Sequence, residues 1–180
     1  MKFGTILALL VYAGAPSAAV SDQLSLAPDF IDVCAKHVGK IKSAKQKALS
    51  VGYEKPPLGA LTGYFAEISF DLHMLTGEPE TLVKFDEGMR RYAFFAVGEA
   101  SSVFEEARSV CSVVVTNDNP NFALAELVDG LFLGDPANSH ISGEHVTYLW
   151  EFPNLPDVFI RFSYVPTSET PGYEVSQLEF

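Results

Sequence analysis

The densest set of metal-capable side chains in the chain is His140-Ile141-Ser142-Gly143-Glu144-His145. Two imidazoles and a carboxylate so close together have the ligand chemistry of a zinc centre that activates water for hydrolysis. The spacing departs from the helical zinc motifs, which set their ligands on one helical face. Here Gly143 interrupts the run, and only His145 and Thr147 would leave a strand on the same side, with Asp135 in the preceding loop. His140, Glu144 and His145 therefore define an alternative function, a metal-dependent hydrolase. His37 and His73 stand alone, and the carboxylate pairs Glu105-Glu106 and Asp86-Glu87 are ordinary in an acidic chain. The sequence contains no G-x-S-x-G, no glycine-rich phosphate loop, no EF-hand loop and no N-x-S/T sequon. No residue is assigned a catalytic role, and no cofactor is implied.

Binding chemistry has two candidate surfaces. Lys36, Lys40, Lys42, Lys45 and Lys47 crowd one amphipathic segment, where they form either a solvated helix face or a site for an anionic ligand. In the run 145–152, Val146, Tyr148, Trp150 and Phe152 alternate with His145, Thr147, Leu149 and Glu151. The aromatic side suits a sheet core; with Tyr148 and Trp150 exposed it would instead hold a peptide or small molecule. Lys36, Lys40, Tyr148 and Trp150 are the binding candidates.

The two cysteines carry structural chemistry. Cys34 falls in the apolar stripe of the Lys-rich segment, and Cys111 precedes the β-branched run Val113-Val114-Val115-Thr116. A Cys34–Cys111 disulfide would clamp helix to strand and, in the loop-entropy model, stabilise the fold by about 4 kcal/mol.

The elements that position these residues follow from periodicity. Phe30, Cys34, Val38, Ile41, Ala44 and Ala48 recur at helical steps, predicting one helix over 28–51 that ends at Gly52 and Pro56-Pro57. Segment 58–75 favours a helix, although 66–74 also alternates as a strand would. Strands are expected at 81–85, 89–97 and 103–116, then a short helix from Phe122 to Leu131. Composition makes 134–143 a loop. Strands at 145–152 and 158–165 form a hairpin, and 172–178 supplies a final edge strand. The expected class is α+β: an antiparallel β-sheet with an N-terminal amphipathic helix and one or two further helices packed on one face.

Met1-Lys2, an apolar run and the small-residue end Ala15-Pro16-Ser17-Ala18-Ala19 read as a signal peptide over 1–19, cleaved after Ala19. The remaining 161 residues (180 − 19) have the size of one domain, 20–180. Without Lys2 the chain has 11 basic and 23 acidic residues, net −12. Such a charge disfavours nucleic acid and anionic membrane as partners. Export, periplasmic or secreted, leaves a protein or small-molecule ligand as the expected partner. The favoured function is a non-catalytic binding module held by one disulfide.

Overall fold

The computed structural model describes residues 26–56, 80–87, 90–99, 108–167 and 172–180. The signal segment 1–19, the helix expected at 58–75 and the first part of the strand expected at 103–116 lie outside the described residues. Among the described residues, seven strands form a single antiparallel sheet: β1 (Glu80–Asp86), β2 (Arg91–Glu99), β3 (Ser109–Thr116), β4 (Asn138–Ser142), β5 (His145–Glu151), β6 (Val158–Tyr164) and β7 (Gly172–Glu179). Their order is β1-β2-β3-β7-β6-β5-β4. Two meanders, β1-β2-β3 and β4-β5-β6-β7, thus join side by side through the β3–β7 pair. Short helices accompany the sheet: α1 (Leu26–Val33), a 3-10 turn (Ala35–His37), α2 (Ile41–Ser50) and α3 (Pro120–Leu131), which links the meanders. The class is mixed α+β.

Register sorts the strand residues into two faces. Cys111, Val113 and Val115 on β3 pair with Gln177, Val175 and Tyr173 on β7, and Ile160 and Phe162 continue the same face on β6. These side chains share a core with Phe30, Val33, Ala44, Ala48, Ala123 and Leu127 of the helices. Burying Phe95 and Phe162 completely contributes roughly 1.5–3 kcal/mol each. The Cys34–Cys111 disulfide crosses this layer with a Cα–Cα distance of 5.6 Å, as expected from the sequence.

Three expectations are corrected. The single helix over 28–51 is broken, because Gly39 sits at φ +66° between the 3-10 turn and α2. A β-carbon there would meet only the movable end of the Glu179 side chain, so it is the backbone conformation that calls for glycine. The loop expected at 134–143 contains β4, whose five side chains are all exposed; a two-residue Gly143-Glu144 turn joins it to β5, with Gly143 at φ +60°. The strand at 172–178 is not an edge. β7 lies at the centre of the sheet and is buried along nearly its whole length.

Candidate functional site

Two arginines are buried in the sheet, one on each face. On the helix-covered face Arg91 is 2% exposed, its Nη1 2.8 Å from Asp118 Oδ1 and its Nη2 3.7 Å from Asp86 Oδ2. The Tyr173 hydroxyl donates to the other oxygen of Asp118 at 2.6 Å. Burial, then Asp118, pushes the Tyr173 phenol far above its ordinary range. Asp118 opens the turn that Asn119 completes by capping α3, accepting from the Asn121 and Phe122 amides. This network locks β2, β7 and the start of α3 together. Its role is structural.

On the second face the side chains fall into rows across the strands. One row runs Glu151, Phe159, Leu178 and Val110; the next Asn138, Leu149, Arg161, Ser176 and Ser112; the third His140, Thr147, Ser163, Glu174 and Val114. Arg161 is 8% exposed and Glu174 3%. Arg161 Nη2 lies 3.5 Å from Glu174 Oε2, while the Ser112 hydroxyl donates to Glu174 Oε1 at 3.1 Å. Burial raises the Glu174 carboxyl above its ordinary value, against the opposing pull of Arg161, Ser112 and His145. Burial likewise lowers the Arg161 guanidinium, against the pull of Glu174.

Beside Arg161 the sheet carries a cavity of about 270 Å³. Its apolar wall is Leu149, Phe159, Leu178 and Phe180, with the Phe159 and Phe180 rings edge to face at 5.4 Å. Arg161, Asn138, His140 and Thr147 supply the polar lining, and Thr147 also bonds Ser163 at 3.0 Å. Alternation places these groups together, since residues two apart on one strand and partners on the next share a face. The arrangement can enclose an apolar body and hydrogen-bond one polar end.

No family model, curated protein or solved structure matches the chain. The site must therefore be judged on its own geometry.

The sequence candidates are dispersed over the molecule. Trp150 is 4% exposed and faces the helices, donating its indole N–H to Gly134 O at 3.0 Å. Tyr148 is half-buried beside it, the rings 5.8 Å apart. Lys36 is exposed and paired with Asp32, and Lys40 is exposed near the break before α2. Neither pair of residues borders the cavity.

His140 and His145 do share the second face, one in the cavity lining and the other beyond it. Among the described residues, however, no three His, Cys, Asp or Glu side chains are placed to hold a metal ion. The hydrolase centre of His140, Glu144 and His145 is therefore not formed: Glu144 sits in the exposed turn, outside the face that the two imidazoles share. The sequence reasoning missed Arg161 and Glu174. Their signal was present as a charge in mid-strand, within Val158–Tyr164 and Gly172–Glu179.

Proposed function

We propose that the chain is an exported binding protein that takes a small, largely apolar molecule into the cavity on the second face of its sheet. The observation that carries this function is the meeting, in one space of about 270 Å³, of an apolar wall with a few convergent polar groups. That is the usual make-up of small-molecule sites, whose volumes run from about 300 Å³ upward. A cavity of about 150 Å³ already admits benzene, so this one suits a ring bearing a short chain. The Phe159–Phe180 corner offers an aromatic ligand an edge-to-face partner.

Binding is favoured over catalysis by how the polar groups are used. The Ser112 hydroxyl is buried outside the cavity lining and bonded to Glu174, so a molecule in the cavity does not meet it as a nucleophile. Export is supported by the signal-like segment 1–19 and by the disulfide, which suits an oxidising compartment, periplasmic or extracellular. Among the described residues no helix is long and apolar enough to cross a membrane.

Isothermal titration calorimetry with 4-phenylbutanol tests the proposal. Saturable one-site binding is expected, and Leu149→Trp, which fills the cavity, should remove it while leaving the melting temperature in place. Absence of saturation, or equal binding by the filled variant, would overturn it.

A further inference from the structure

We infer that the preferred ligand of this cavity is an amphipathic carboxylate, and that Glu174 takes up a proton when it binds. The inference rests on the cavity being a ligand site, as proposed above. The described lining of the cavity includes Arg161, whose side chain stays charged throughout this range. A carboxylate with an apolar tail would place its tail against Leu149, Phe159 and Leu178 and its head on Arg161.

Arg161 already faces Glu174, and the contact is at the outer limit of a hydrogen bond, 3.5 Å. A second carboxylate beside the same guanidinium puts two negative charges against one positive charge in a buried setting. Two carboxylates sharing one site do not both remain ionised; one of them takes a proton. Glu174 is the group prepared for it, being buried and already raised above the ordinary carboxylate range. One proton from solvent goes to a Glu174 oxygen, and the ligand arrives as the anion. Ser112, 3.1 Å from Oε1 and 3.4 Å from the Ser176 hydroxyl, can rotate to donate or accept and so serves either charge state.

The other titratable groups on this face do not substitute for Glu174. Among the described residues they are His145 and Glu151 on β5, His140 on β4 and Tyr92 on β2. β3 contributes Val110, Ser112, Val114 and Thr116, none of which titrates in this range. His140 and His145 are exposed, and Tyr92 is half exposed at the far side of the sheet. Glu151, at the open end of β5, pairs with Phe159 and not with Arg161.

The test compares 4-phenylbutyrate with 4-phenylbutanol by calorimetry, in two buffers of contrasting ionisation heat. The acid should bind more tightly than the alcohol, with proton uptake approaching one per ligand for the acid and none for the alcohol. Its affinity should rise by up to about tenfold from about pH 7 to about pH 6, the linkage limit for a single proton. In Glu174→Gln the acid should bind with little pH dependence, and circular dichroism checks that this variant is folded. Equal binding of acid and alcohol without proton uptake would overturn the inference while leaving the ligand cavity standing. Persistence of the pH dependence in Glu174→Gln would also overturn it, assigning the proton to His140 or His145. Failure of both probes to bind would instead remove the cavity as a ligand site.

Discussion

The two faces of the sheet each bury an arginine, and they do so for different ends. Arg91, under the helices, is set between Asp86 and Asp118, with Tyr173 tying down the far oxygen of Asp118. Arg161, on the second face, has Glu174 at a longer distance and a cavity at its side. The first site is crowded: one guanidinium faces two carboxylates, and Tyr173 of the core bonds one of them. The second retains room beside a charged group, which is what recognition of an incoming molecule needs. A buried ion pair is weak evidence for stability in itself. Its setting decides its use.

The comparison can be broken most sharply by removing each arginine in turn. Arg91→Met leaves the part-buried Asp86 and Asp118 facing each other without their cation and should destabilise by about 5 kcal/mol in urea denaturation at neutral pH. Arg161→Met leaves one carboxylate that can take a proton, and the expected loss is about 2 kcal/mol. Equal losses would mean that both arginines are structural.

Next in size is the disulfide, which belongs to the covered face alone. Replacing both cysteines by alanine should cost about 4 kcal/mol, because a link between residues 77 apart restricts the unfolded chain. Ligand affinity in the folded variant should be unchanged. A lost cavity in that variant would show that the two faces are coupled.

A third prediction concerns pH. Burial raises the folded-state value of Glu174, so its stability contribution is full below the ordinary carboxylate value. That contribution falls as pH rises from there through the folded-state value. Thermal melts across this window should therefore show Glu174→Gln gaining relative to wild type as pH increases. A constant difference would place Glu174 at its ordinary value. The smallest effect is at the cap of α3: Asn119→Ala should cost about 1 kcal/mol with no change at the cavity.

Legibility in the sequence followed the same division between faces. The covered face announces itself: Val158, Ile160, Phe162 and Tyr164 fall at alternate positions, and the strand limits follow to within a residue or two. The disulfide was legible because the chain has two cysteines and both fall on buried stripes. β4 was not, because Asn138-Ser139-His140-Ile141-Ser142 is exposed throughout and leaves no buried period to read. The central place of β7 was hidden for another reason. Strand order is set by long-range pairing, and nothing local in Gly172–Glu179 names β3 and β6 as its neighbours. The break at Gly39 was masked by an apolar stripe that continues across it from Cys34 to Ala44. Arg161 and Glu174 were not singled out, since alternation alone cannot tell a wet face from one that is buried.

The most direct test of a ligand site on the second face is a nuclear magnetic resonance titration of methyl-labelled protein with 4-phenylbutanol. The Leu149 and Leu178 methyl signals should shift and saturate together, while those of Val113 and Val175, which face the helices, stay in place. Shifts confined to Val113 and Val175, or no saturable shift at Leu149 and Leu178, would contradict it.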